Sequence, residues 1–143
     1  MASDPFSIYI VANGQATCDG EVFEGVDPWE VLRELLARYP QERRFDLPPF
    51  QGGAAGFLAY DLNRTLEQLP APARSCHRLP EASLHFYDVV VSFDQYGHRC
   101  WIVSTGWPEQ DPARRRERAQ RRADEFVTIF AMQSPDRRTN LSA

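Results

Sequence analysis

Asn13-Gly14 stands between two apolar runs, Phe6-Ser7-Ile8-Tyr9-Ile10-Val11-Ala12 and Gln15-Ala16-Thr17-Cys18. An Asn-Gly pair suits the two positive-φ positions of a type I′ turn, whose twist matches that of the strands it joins. Two residues can connect only antiparallel neighbours, because a parallel connection needs a dozen or more. Asp19-Gly20 repeats the signal, so strands over 6–12, 15–18 and 21–23 form a small antiparallel meander. Parallel βαβ winding is excluded at the start of the chain.

Helical signals follow. Asp27-Pro28-Trp29-Glu30 places Asp as N-cap, Pro at the first helical position and Glu in the first turn. Val31, Leu32, Leu35, Leu36 and Tyr39 recur at helical spacing and predict a helix over 28–39 with one face on the sheet; Pro40 ends it. The charged and then Pro-rich stretch 41–48 reads as a solvated connector. Asp111-Pro112 opens a second, long helix over 112–131, with Ala119, Ala123, Phe126, Val127 and Phe130 as its apolar stripe. Arg114, Arg115, Arg116, Arg118, Arg121 and Arg122 crowd its first half, where positive charge opposes the helix dipole. They read as a solvated face, the rival being a docking surface for an acidic partner or another domain.

Between the helices lies Pro49-Phe50-Gln51-Gly52-Gly53-Ala54-Ala55-Gly56-Phe57-Leu58-Ala59-Tyr60-Asp61-Leu62-Asn63-Arg64. Glycines in a strand mark a bulge or a close backbone approach. This predicts a buried strand over 52–60, with Gly53 as a packing position. Gly106, beside Trp107-Pro108, is expected in a loop that can shift. A short helix or irregular turn over 62–69 and a Pro-rich surface excursion over 71–80 follow. The stretches 84–93 and 99–104 read as a second hairpin, turning through Asp94-Gln95-Tyr96-Gly97. Its unbroken Val89-Val90-Val91 should be covered on both faces. The fold class is therefore α+β: antiparallel sheet(s) with packed helices. Residues 1–131 form one domain and 132–143 a polar, disordered tail.

Composition narrows function mainly by exclusion. The net charge of −4 gives no electrostatic case for nucleic acid or an anionic membrane. All sixteen basic residues are arginine, which reads as base composition unless they cluster about a pocket for bidentate recognition. Cys18, Cys76 and Cys100 are widely spaced, without metal-ligand pairing, and read as free thiols in a reducing cytosol. No leader and no run of eighteen apolar residues is seen, so a cytoplasmic protein is expected.

No residue earns a catalytic, cofactor-binding or metal role. His77, His85 and His98 are far apart, with no serine or cysteine in a nucleophile-elbow context. Asp61, Glu67, Asp88 and Asp94 can be paired as acid–base carboxylates. Yet Asp61 and Arg64 are three apart, which suits a local ion pair, and Asp88 and Asp94 bracket an apolar strand whose ends they can close. Gly52-Gly53 has neither the Lys-Ser/Thr of a phosphate loop nor a dinucleotide fingerprint.

The glycine stretch continues through Glu67-Gln68-Leu69-Pro70, and Phe86-Tyr87-Asp88 and Ser92-Phe93-Asp94 follow. This pattern, with Ser3-Asp4-Pro5-Phe6, resembles the N-terminal part of the chorismate-utilising component I enzymes, aminodeoxychorismate synthase and anthranilate synthase. The resemblance runs from about residue 3 to residue 125. It implies that the chorismate-binding catalytic domain is missing or separately encoded, along with a short upstream strand bearing an "LLES"-like sequence. A magnesium ion held by glutamates in that other domain, and a glutamine amidotransferase partner supplying ammonia, are implied for the full-length enzyme. None of its catalytic residues can be matched here. The segments 56–62 and 101–106 look more like the aminodeoxychorismate branch, which aminates chorismate to 4-amino-4-deoxychorismate for p-aminobenzoate and folate synthesis. The anthranilate branch of tryptophan biosynthesis is the runner-up. A stand-alone binding or scaffold module is the alternative from another class.

Overall fold

The computed structural model describes residues 4–60 and 79–133. The turn expected over 62–69, most of the 71–80 excursion, Asp61, Arg64, Glu67, Cys76, His77 and the tail beyond residue 133 lie outside the described residues. The element order is β1 (Ser7–Ala12), β2 (Gln15–Cys18), β3 (Glu21–Phe23), α1 (Pro28–Arg38), β4 (Gly53–Leu58), β5 (Ala82–Tyr87), β6 (Val89–Asp94), β7 (Arg99–Ser104) and α2 (Pro112–Gln133). Five strands form one antiparallel sheet in the order β3-β2-β1-β5-β4, and β6-β7 forms a separate hairpin. The α+β expectation holds.

Both short turns use the predicted chemistry. Asn13 and Gly14 sit at φ 54° and 72°, Asp19 and Gly20 at 51° and 87°, the left-handed pairs that a type I′ turn requires. The β1–β2 register follows directly, with Ala12 opposite Gln15 and Tyr9 opposite Cys18. At the start of α1 the Asp27 side chain accepts a hydrogen bond from the Trp29 N–H at 2.9 Å. Val31, Leu32 and Leu35 then pack on Tyr9, Val11, Ala16, Cys18, Ala82 and Phe86, each such side chain contributing roughly 2 kcal/mol by burial. Leu36, expected in that stripe, remains exposed.

Several expectations are corrected. The single strand over 84–93 is two strands in different sheets, divided at Asp88. Tyr87 still pairs with Gly53 of β4, whereas the Asp88 carbonyl accepts from the Thr105 N–H at 2.9 Å and extends the β6–β7 ladder. The second correction concerns β4, which is an edge strand, with Phe57 44% and Leu58 51% exposed. The apolar run of β4 suggests burial, but an edge position leaves one flank without a neighbour.

The third correction concerns the glycines. A Cβ on Gly53 would meet only the end of the Gln41 side chain, at 3.6 Å. The close approaches are at Gly56, where a Cβ would run into the Ser83 carbonyl, and at Gly106, where it would run into the Arg115 carbonyl. Trp107 is buried rather than part of a free loop.

The β6–β7 hairpin is covered as expected. Val89 and Val91 pack with Phe126, Ile102 and Phe130, while Val90, buried as well, points to the opposite face. Along that face runs the stretch 41–50, where Leu47 lines a cleft with Val103, and Pro48 and Pro49 line another with Trp101. The connector is therefore partly a cover rather than wholly solvated. Gln51 ties it down: its Oε1 accepts from the Arg44 N–H at 3.1 Å, and its Nε2 donates to the Arg44 and Pro48 carbonyls at 2.6 and 2.9 Å. In α2, Asp111 caps the Ala113 and Arg114 N–H groups at 3.1 and 2.9 Å. Phe126 is buried, but Val127, assigned to the same stripe, is 54% exposed.

Candidate functional site

The motif fragments that are scattered in the sequence meet where the two sheets adjoin. Gly52, at the mouth of β4, lies against this junction: a Cβ there would stand 3.1 Å from the Thr105 methyl and 3.2 Å from the Tyr87 carbonyl. Its φ of 132° is open to glycine. Tyr87-Asp88 forms the crossing itself. Thr105, Gly106 and Trp107 return from β7 on the other side, and the first turns of α2 close over them.

Asp88 is the charged centre, with only 1% of its surface exposed. Its Oδ2 accepts from Arg118 Nη2 at 3.2 Å and from Arg122 Nε at 3.4 Å. Arg122 also donates to Asp4 Oδ2 at 2.8 Å and to Glu125 Oε2 at 2.9 Å, and Arg118 Nε donates to the Trp107 carbonyl at 3.2 Å. Burial works against the Arg122 charge, but the bond to Glu125, the charge of Asp88 and the bonds to Asp88 and Asp4 outweigh it and raise its pKa. One cluster thus joins Asp4, three residues before β1, the sheet crossing and α2. Two buried oxygens, Asp88 Oδ1 and Ser104 Oγ, have no hydrogen-bond partner among the described residues.

Beside this cluster opens a cavity of about 660 Å³, lined among others by Gln41, Arg44, Leu47, Thr105, Trp107 and Arg115. The Arg115 guanidinium lies 4.2 Å from the Trp107 ring centroid, a cation–π arrangement. Arg44 is held by Asp46 at 2.9 Å, which lowers the Asp46 pKa, first through its hydrogen bond. The cavity is a polar cleft with a fixed cation. Among the described residues that line it, the two hydroxyls are not paired with a base: Ser104 Oγ has no hydrogen-bond partner and Thr105 Oγ1 donates to the Asp88 carbonyl at 3.3 Å.

Among the described residues the sequence candidates are not brought together. His85 is on β5, with Ser83 Oγ 3.3 Å from its Nε2, and His98 is in the β6–β7 turn at φ 49°. Asp94 Oδ1 accepts from the Tyr96 and Gly97 N–H groups at 3.0 and 2.9 Å and closes that turn. Cys18 is buried and Cys100 exposed, both free. Burial pushes the Cys18 thiol pKa up, opposed by the hydrogen bond it shares with Ser7 and aided by the Asp19 charge.

Among the described residues no three His, Cys, Asp or Glu side chains come together to hold a metal ion, and the buried carboxylate is occupied by two guanidinium groups. These residues do not make a magnesium site. No helix among the described residues is long and apolar enough to cross a membrane.

Reading the arginines as one solvated face missed Arg115, Arg118 and Arg122. Their spacing of three and four was the available signal, since it places them on one stripe of the helix. Arg114, Arg116 and Arg121 are exposed, as expected.

No family model matches the chain. It is 39% identical over 103 residues to anthranilate synthase component 1 of Thermus thermophilus, covering 71% of this chain and 22% of that protein. It is 34% identical over 97 residues to anthranilate synthase component 1 of Cereibacter sphaeroides, covering 66% and 19%. Against aminodeoxychorismate synthase component 1 of Escherichia coli it is 38% identical over 80 residues, covering 54% and 17%. The chain therefore spans about a fifth of the length of the curated relatives it matches. Among solved structures, anthranilate synthase component I of Streptococcus pneumoniae superimposes with a TM-score of 0.77 at 20% identity, over 94% of this chain and 29% of that one. The chain is thus similar in sequence to a segment of the component 1 proteins of anthranilate synthase and aminodeoxychorismate synthase, and it has the fold of the corresponding part of anthranilate synthase component I.

Proposed function

We propose that the chain is the N-terminal, non-catalytic segment of a chorismate-utilising component 1 protein, and that its contribution is a packing platform rather than reacting groups. The observation that carries this reading is the 39% identity held across 103 residues but confined to 22% of the Thermus protein. Residues 1–131 act as the platform. Chorismate, magnesium and the ammonia delivered by a glutamine amidotransferase belong to the remainder of such a protein and its partner.

The aminodeoxychorismate branch is the preferred one, supported by segments 56–62 and 101–106 and by the 38% identity to the Escherichia coli protein. The anthranilate branch is the second reading, supported equally by the Thermus and Cereibacter relatives.

The test is segment replacement. This chain is put in place of the matched segment in the Escherichia coli aminodeoxychorismate synthase component 1 and, separately, in the Thermus anthranilate synthase component 1. Each hybrid is assayed with chorismate, magnesium and ammonium. Greater recovery in the first hybrid supports the preferred branch, and greater recovery in the second supports the other. No recovery in either overturns the reading, as does product made by the free chain alone.

A further inference from the structure

We propose that the cleft of about 660 Å³ between the 41–51 stretch, β7 and the first turns of α2 binds a small carboxylic acid with an aliphatic body, held by Arg115. This goes beyond the functional reading above and does not depend on it.

One arginine of α2 is left over. Arg115, Arg118 and Arg122 share a stripe of the helix, and Arg118 and Arg122 are both spent on Asp88. The Arg115 guanidinium makes no ion pair or hydrogen bond among the described residues. Arg115 is half-buried, and its guanidinium lies 4.2 Å from the ring centroid of Trp107. Trp107 is itself buried and stands against Tyr39, with ring centroids 5.5 Å apart. Stacking on a fixed ring orients the planar fork and leaves its N–H edge available. Such an arginine has already given up side-chain freedom that binding would otherwise cost. What it lacks is an oxyanion to take both N–H groups of the fork.

The rest of the lining selects among oxyanions. Leu47, Ile102 and Val103 supply aliphatic surface, which a bare inorganic ion cannot use. Gln41 adds an amide donor at one end. A Cβ on Gly52 would stand 3.0 Å from Gln41 Nε2 and 3.1 Å from the Thr105 methyl, so glycine keeps that end open. Ser104 Oγ, in the same lining, is buried without a partner, a cost that a bound ligand or water relieves.

Phosphate or a polyanion suits this cleft less well than a single carboxylate. Arg44 is already neutralised by Asp46 at 2.9 Å, and Glu42 brings a negative charge to the lining. A helix N-terminus favours an anion through its free N–H groups. In α2 the Ala113 and Arg114 N–H groups are taken by Asp111 at 3.1 and 2.9 Å. One unpaired guanidinium therefore matches one negative charge, because a second would face Glu42 with no cation of its own. The volume of about 660 Å³ falls within the range of small-molecule sites, roughly 300–1,000 Å³.

The test is an NMR titration of the full 143-residue chain, labelled with nitrogen-15, following the Trp107 indole and Arg115 side-chain N–H signals. The probes are cyclohexanecarboxylate, its neutral isostere cyclohexanecarboxamide, and inorganic phosphate. The acid should shift both signals and saturate with a Kd of about 1 mM or tighter. The amide and phosphate should each bind about tenfold more weakly, for want of the charge and of the apolar body respectively. Arg115→Gln should weaken the acid about tenfold as well, whereas Arg114→Gln, the same charge change on an exposed neighbour, should match the parent. If Arg115→Gln does not fold, the acid-against-amide comparison on the parent and Gln41→Ala, at an exposed position, decide the point. Gln41→Ala should bind the acid measurably more weakly. The proposal is overturned by silent Trp107 and Arg115 signals, by equal binding of acid and amide, or by phosphate binding as tightly as the acid. Undiminished binding by a folded Arg115→Gln, or by Gln41→Ala, overturns it too. Each of these results leaves the functional reading intact, since none involves the chemistry of a component 1 protein.

Discussion

Asp88 and Arg122 meet at 3.4 Å across 34 residues of sequence, with 1% and 13% of their side-chain surfaces exposed. The pair stands where the chain leaves one sheet for the other, and Arg118 adds a second contact at 3.2 Å. Deleting one side of a buried ion pair strands the other in a medium that solvates it poorly. Asp88→Ala should therefore cost about 3 kcal/mol, the low end for a broken buried pair because Arg118 remains partly wet. A urea melt checks it; a change within error of the parent would mean that α2 docks by Phe126 alone.

The arginines of α2 should divide by helical face. Arg122→Ala removes bonds to Asp4, Asp88 and Glu125 at once and should cost about 2–3 kcal/mol, as for a buried charge network. Arg116→Ala, on the exposed side, should stay within about 0.5 kcal/mol of the parent. Thermal melts of the two variants decide it. Equal losses would mean that total charge, rather than the cluster, governs the helix.

Local chemistry made most of the fold legible. Asn13-Gly14, Asp19-Gly20, Asp27-Pro28 and Asp111-Pro112 each mark a boundary through a turn or cap that depends on a few neighbouring residues. The break at Asp88 was hidden because its cause lies 30 and 34 residues away, in Arg118 and Arg122. Seen locally, the stretch 84–93 reads as one apolar strand. The exposure of β4 was hidden for a related reason, since edge or centre depends on sheet order rather than on the strand's own residues. At the candidate site, Tyr87-Asp88 and Gly52-Gly53 stood out as motif pieces, but the partners converging on them from β7 and α2 did not. Only the spacing of Arg115, Arg118 and Arg122 pointed toward them.

Alkaline pH should loosen the core on the α1 side. Burial, then the charges of Asp27 and Cys18, push the Tyr9 phenol up to about 12. Its hydroxyl donates to the Pro28 carbonyl at 2.7 Å. The Cys18 thiol is raised as well, chiefly by burial. A group whose folded pKa is raised contributes its full stability below its ordinary value and loses it as pH climbs through the folded one. The loss should start near the ordinary thiol value of 9.0 and continue toward about 12. Tyr9→Phe should cost about 1 kcal/mol at neutral pH, for the lost hydrogen bond, yet show a shallower fall in Tm above pH 10. Parallel curves for parent and variant would remove Tyr9 from the explanation.

Gly106 should tolerate a side chain less well than Gly53, the reverse of the order suggested by their sequence contexts. Both have positive φ, 75° and 99°, so any L-residue is strained at either, by about 1–3 kcal/mol. The difference is space. A Cβ at Gly53 meets one flexible amide end at 3.6 Å, whereas at Gly106 it runs into the Arg115 carbonyl, with Arg115 Cγ at 2.9 Å. Relief at Gly106 requires moving the first turns of α2, which would disturb Arg115 over Trp107 and the Arg118 bond to the Trp107 carbonyl. Gly106→Val should therefore carry about 1–3 kcal/mol of overpacking beyond the strain shared with Gly53→Val. Paired urea melts against the parent measure it. A larger loss at Gly53 would show that the glycine pair at the mouth of β4 is packed more tightly than its open neighbourhood implies, and would shift attention from the α2 contact to that strand.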